Sequence, residues 1–144
     1  MKILCLDYGL KRIGVAASDP SGTISYPLTV FANKGLNNNL KVVEILVVEQ
    51  KPEIILLGLP LDTRNYGKTE TPMSQVVKEF GRNIQENLGV SVEFHDERYS
   101  SAEAEEHIKV NLGITKREKI KELVDKIAAS MILNSYLNKV KQGV

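Results

Sequence analysis

Three places in the chain put acidic residues where a core or a strand end is expected. Asp7 follows the apolar run Ile3 to Leu6 and leads at once into the turn signal Tyr8 and Gly9. Asp96 and Glu97 end the alternating stretch 90–97. Asp125 lies in the middle of a long helical pattern, one turn before Ala128 and Ala129. A carboxylate at the end of a buried strand is costly to desolvate unless a cation or a set of donors meets it. Three carboxylates with no histidine or cysteine beside them form a hard-oxygen set, suited to Mg²⁺ or Mn²⁺ with water and phosphate oxygens completing the shell. Two such ions in one site are the usual arrangement for hydrolysing a phosphodiester. Basic residues flank the same acids: Lys11 and Arg12 after Asp7, Arg98 after Glu97, Lys116 and Arg117 before the long helix. Set on one rim, they would grip a phosphate backbone without reading bases.

The pattern leaves alternatives. Asp7 could simply cap a turn, and Asp125 could be a surface acid paired with Lys121 or another nearby base. Strict alternation groups Asp96, not Glu97, with Val92 and Phe94, so periodicity alone does not choose between the two acids. His95 and His107 have no partner at zinc spacing and read as structural or surface residues. Ser100 and Ser101 read as helix caps, since no histidine is placed to activate them. Cys5 has no disulfide partner and reads as a buried thiol in a reducing compartment.

The elements that must position these residues follow from hydrophobic period. Ile3–Leu6 and Ile13–Ala17 form a hairpin, and Ile24–Phe31 alternates as a third strand, placed at an edge because Pro27 lacks the ladder donor. Asn33–Asn39 reads as a loop, Leu40–Gln50 as a helix, and Glu53–Pro60 as a second buried strand, joined to the first by a right-handed crossover. Leu61–Thr71 reads as a mobile surface loop. Pro72 opens a helix that runs to Leu88 and closes at Gly89. Val90–Glu97 is the opposite edge strand. Capping boxes at Ser100/Glu103 and Thr115/Glu118 open a short helix to Leu112 and a long one to about Lys141, whose apolar positions are 120, 123, 124, 127, 131 and 137. Asp125, Ala128, Ala129, Ile132 and Tyr136 line one side of that last helix. The order βββαβαβαα predicts an α/β fold, a mixed five-stranded sheet with three antiparallel strands followed by parallel ones and helices on both faces.

A chain of 144 residues with 42% hydrophobic and 26% charged residues is expected to form one globular domain spanning 1–144. The formal net charge of +1 provides no global field toward nucleic acid or anionic lipid, so any such binding must come from a local patch. No apolar run approaches the roughly 20 residues of a membrane-spanning helix, and no signal-peptide pattern is visible. A cytoplasmic protein without a membrane partner is the expectation.

Four motifs, taken together and in order, resemble one known family. They are Leu6 to Asp19, Gly58 to Pro60, Asp96 to Arg98 with Ser100, and Asp125 to Ala129 with Leu133, Tyr136 and Leu137. The chain is similar to the YqgF (RuvX) family of small bacterial proteins with a ribonuclease H-like fold, related to Holliday-junction resolvases. The resemblance implies a metal-dependent endonuclease linked to maturation of the 5′ end of precursor small-subunit (16S) ribosomal RNA. It maps an acidic triad onto Asp7, Glu97 and Asp125 as catalytic residues and metal ligands, and so favours Glu97 over Asp96. With the flanking bases, it implies nucleic-acid contacts at Lys11, Arg12 and Arg98, and two ions, Mg²⁺ or Mn²⁺, bound with substrate. The segment Leu61 to Gly67 is longer and more basic than the family pattern. Other readings stay open: a resolvase acting on branched DNA, for which a weak homodimer is an expectation; a catalytically weak RNA-binding maturation factor; and an actin-like ATPase, disfavoured because 144 residues leave no room for a second domain.

Overall fold

The computed structural model describes residues 1–62, 69–97 and 117–141. Its elements are β1 (Ile3–Tyr8), β2 (Arg12–Ser18), β3 (Ser25–Ala32), α1 (Leu36–Gln50), β4 (Ile54–Asp62), β5 (Thr69–Glu70), α2 (Pro72–Leu88), β6 (Ser91–Glu97) and α3 (Arg117–Lys141). The strands β3-β2-β1-β4-β6 make the expected five-strand sheet. β1/β2 and β2/β3 are antiparallel, while β1/β4 and β4/β6 are parallel. The short β5 folds back antiparallel on the end of β4.

Strand alternation divides the interior into two layers. Leu4, Leu6, Ile13, Val15, Ala17, Ile55 and Leu57 face α1 and α2, meeting residues such as Val43, Leu46, Val77, Phe80 and Ile84. The intervening Ile3, Cys5, Ala16 and Leu56 face α3, where Ala129, Ile132, Leu133 and Leu137 cover them. β1 and β4 read as unbroken apolar runs because both of their faces are covered. Cys5 is buried and forms no disulfide.

The helices start for readable reasons. The Thr71 side chain accepts from the Ser74 N–H, Ser74 answers to the Thr71 backbone, and Pro72 fills the first turn. α1 begins at Leu36, four residues before the expected start at Leu40. The asparagines at 37–39 look like loop residues, but Asn39 is buried and is held by Asn33, whose side-chain oxygen accepts from the Asn39 amide at 2.8 Å. Tertiary hydrogen bonding overrides the low intrinsic helix preference of asparagine here. The segment expected as a loop, Leu61–Thr71, instead lengthens β4 to Asp62 and supplies β5, with residues 63–68 outside the described residues. The predicted helix from Ser100 to Leu112 also lies outside them, as do His107 and the Thr115 cap.

α3 departs from the expected apolar stripe. Its buried side is Ala128, Ala129, Ile132, Leu133 and Leu137, while Leu123, Val124, Ile127 and Met131 are only partly covered. The two alanines decide the matter, because small side chains let the helix approach the sheet closely. The closest approach falls at Gly14 in β2, where an added Cβ would lie 1.9 Å from the Asp125 carbonyl oxygen. At the far edge, Tyr136 donates to Glu93 Oε2 at 2.6 Å and fastens α3 to β6. Burial, joined by this bond to a carboxylate, pushes the Tyr136 phenol up to about 12. No helix among the described residues is long and apolar enough to cross a membrane.

At the other end of the sheet, the Asp19 carboxylate organises the β2–β3 turn, accepting from the Ser21 hydroxyl and from the backbone N–H groups of Thr23 and Ile24. The Ser21 hydroxyl and then the Ile24 N–H hold Asp19 down at about 2.

Two outcomes follow for stability. Gly14→Ala should destabilise the fold toward the upper end of the roughly 1–3 kcal/mol typical of overpacking, read from urea unfolding, because helix backbone cannot yield as a flexible side chain would. The Asp19 pKa is lower folded than unfolded, so its contribution is complete above about pH 4 and fades as pH falls toward 2. Asp19→Asn should therefore flatten the decline of the urea midpoint across that window.

Candidate active site

Asp7 occupies the next-to-last register of β1 before the turn, paired with Gly14 across the ladder. By alternation it shares the α3 face with Ile3 and Cys5, and its side chain is half-buried. Gly14, its ladder partner, is also the residue pressed against the backbone of Asp125. One residue without a side chain thus brings the strand acid and the helix acid to the same spot, on the same side of the sheet.

Asp125 does not pair with Lys121. Its Oδ2 accepts from Arg12 Nε at 2.5 Å, a contact between residues 113 positions apart. Arg12 opens β2 and is in alternation with Gly14 and Ala16, so it too lies on the α3 face. The pair is part-buried, with 35% of the Arg12 side chain and 23% of the Asp125 side chain exposed. The cation expected on a phosphate-gripping rim is therefore engaged with an acid of the triad. Lys11 stands exposed in the adjoining turn.

The third acid comes from β6. In this strand Glu93 and His95 reach α3, Glu93 through Tyr136 and His95 through Ser135 Oγ at 3.0 Å. Val92 packs on the other core layer, and Phe94 lies over Gly81 of α2. Backbone position 97 belongs in alternation with 93 and 95, and position 96 with 92 and 94. The side chain of Glu97, together with Arg98 and Lys116, lies outside the described residues. Glu97 pairs with Pro60, and continuing the β1/β4 register one step sets Asp7 beside Gly58, level with His95. Two strand spacings and a two-residue offset put the Cα atoms of Asp7 and Glu97 about 12 Å apart, within convergence of two carboxylate side chains. Asp96, although grouped by alternation with Val92 and Phe94, borders an open groove at the sheet edge whose other walls include Met131, Asn134 and Lys139 of α3.

Carboxylate oxygens are the donors that a divalent cation takes. The backbones of Asp7 and Asp125 both adjoin Gly14, and the Arg12 guanidinium on Asp125 shows that a positive charge is accommodated there. Among the described residues no group of three acidic, histidine or cysteine side chains closes around a common point.

Sequence reasoning missed the brace behind the turn. Asn33 donates its amide to the Gly9 carbonyl at 2.8 Å, and its backbone N–H to the Lys11 carbonyl at 2.9 Å. Its own side-chain oxygen accepts from buried Asn39. The turn after Asp7 is thereby tied to the first turn of α1. The only signal was an asparagine-rich stretch, which reads more simply as a loop.

A family model described as RuvX, Holliday junction resolvase, matches residues 1–139. The chain belongs to the RuvX family. Among its relatives, a protein of Syntrophomonas wolfei named "Putative pre-16S rRNA nuclease" is 41% identical over 138 residues, covering 96% of this chain and 94% of the relative. A protein of the same name from Caldanaerobacter subterraneus is 36% identical, covering 99% of this chain and 100% of the relative. Among solved structures, RuvC of T. thermophilus in complex with a Holliday junction substrate superposes with TM-score 0.55 over 97% of this chain and 96% of that one, at 12% identity. The Fowlpox virus resolvase bound to Holliday junction DNA gives TM-score 0.54 at 15% identity, over 97% and 99% of the two chains. At such identities the likeness is one of fold, the ribonuclease H-like arrangement expected above.

Asn39→Ala should lower unfolding free energy by about 0.5–1.5 kcal/mol, since it removes the bond from buried Asn39 to the Asn33 oxygen, which keeps only the longer bond from the Gly35 N–H. Thermal and urea unfolding would read it.

Proposed function

We propose that this chain is a metal-dependent endonuclease that hydrolyses phosphodiester bonds in precursor small-subunit ribosomal RNA, with Asp7, Glu97 and Asp125 as its catalytic carboxylates. The observation that carries the reading is the meeting of Asp7 and Asp125 at Gly14, on the face that α3 covers. The names carried by close relatives supply the substrate class. A divalent cation held by these carboxylates, Mg²⁺ or Mn²⁺, supplies positive charge against the negative charge that develops on the phosphoryl oxygens.

The chain's own residues do the rest. Asp7, fixed at the end of a buried strand, holds its carboxylate without side-chain freedom to lose. Arg12 exchanges Asp125 for a substrate phosphate, a trade between two anions that a guanidinium makes with little loss. Lys11 and Arg98 steady the phosphate backbone on either side. None of these groups reads a base edge, so selection rests on the shape of the nucleic acid.

A four-way DNA junction is the second substrate reading, favoured by the family description and by the junctions bound to the two solved resolvases. Cutting both strands of a junction calls for two facing copies of this site. The deciding experiment measures Mn²⁺-supported cleavage of precursor ribosomal RNA and of a four-way junction by wild type, Asp7→Asn and Asp125→Asn. RNA cleavage by wild type, with a loss of a hundredfold or more in each variant, is expected. Equal activity in Asp7→Asn removes that residue from the reaction, and cleavage of the junction alone replaces RNA with DNA.

A further inference from the structure

On the side of the sheet away from α3, a cleft of about 340 Å³ opens between the first turns of α1 and α2. Tyr8 forms its floor with Phe80, their rings 5.3 Å apart and tilted by 57°. Leu36 and Val76 stand on its walls, 42% and 44% exposed although both are aliphatic. The volume is at the low end of the roughly 300–1,000 Å³ of small-molecule pockets. Tyr8 directly follows Asp7, so one step of β1 separates this cleft from the proposed reaction site.

We propose that the cleft receives an unpaired nucleobase of the nucleic-acid substrate, next to the phosphate held on the Asp7 side. The inference rests on the proposed nuclease function and specifies its substrate: a strand with an unstacked base near the cleavage point, not a continuous duplex. Charge divides the occupant into two parts. Lys34 is exposed two residues before α1 and Lys11 is exposed in the turn after β1, and both suit the phosphates, as does the N-terminus of α1, where Gly35 provides no side-chain cap and the first turn has no acid. The cleft itself has no cation among its described lining residues. Its polar edge is the Gln75 amide, the Asn39 amide, which is bonded to Asn33 and to the Lys34 N–H, and the Glu79 carboxylate, held by Arg82. An aromatic and aliphatic slot with acceptors at its edge rejects a phosphate, but suits a flat ring carrying amino groups.

The test is binding without a divalent ion, in EDTA, so that it is independent of cleavage. The probes are a single-stranded RNA 12-mer carrying 2-aminopurine and a blunt 12-base-pair RNA duplex. Val76→Glu places charge in the cleft from an exposed helix position. Val48→Glu does the same on the outer face of α1, where Val48 is 68% exposed, and serves as the control. Expected are quenching of 2-aminopurine by wild type, roughly tenfold weaker single-strand binding by Val76→Glu, duplex binding within twofold, and no change in Val48→Glu. Unchanged single-strand binding by Val76→Glu, equal losses on both RNAs, or binding without quenching overturns the cleft as a base site while leaving the nuclease reading intact. Failure of wild type to bind either RNA overturns the nuclease reading, and this inference with it.

Discussion

The contact between the backbone of α3 and Gly14 is the constraint on which the rest of this structure depends. A helix normally stands off a sheet by the thickness of two side-chain layers. Here it descends onto a residue that has none, flanked by Ala128 and Ala129 on its own underside. That descent turns a helix acid into a neighbour of a strand acid. It also brings Arg12 within hydrogen-bond reach of Asp125. Any side chain at position 14 would lift the helix and separate the groups that the proposed chemistry needs together.

Much of the scaffold was legible because its signals are local. Unbroken apolar runs marked β1 and β4 as strands covered on both sides, Pro27 marked an edge, and Pro72 marked a helix start. What the sequence concealed depends on contacts across the chain. The asparagines of α1 are helical because Asn33 reaches Asn39, and no periodicity records such a bond. On α3 the side through Ala128, Ala129 and Ile132 was legible, as were Ile120 and Leu137, whereas 123, 124, 127 and 131 of the apolar stripe are only partly covered, because the small alanines and not the larger residues seat the helix.

The acids show the same division. Asp7 was visible as a polar residue closing a core strand. Asp125 was visible as a polar residue on a core-facing helix, but its partner, Arg12, was visible only as a base after a turn. Alternation grouped Asp96 with Val92 and Phe94, and in the folded strand those two residues do face away from α3. Alternation alone does not choose between the two acids, since Asp96, at the end of the strand, also borders a groove lined by α3 residues. The preference for Glu97 comes from the resemblance to a family and not from the residues' own physics.

The Arg12–Asp125 pair joins positions 113 residues apart, from the second strand and the last described helix. During synthesis at about 5–20 residues per second, the strand half waits roughly 6–23 s for its counterpart. Throughout that interval the nascent chain carries Asp7 and its basic turn but not Asp125, and Glu97 joins them only for its last 28 residues. On the proposed assignment of the three carboxylates, the cutting centre is divided in this way and stays incomplete beside the ribosome until the last described helix docks.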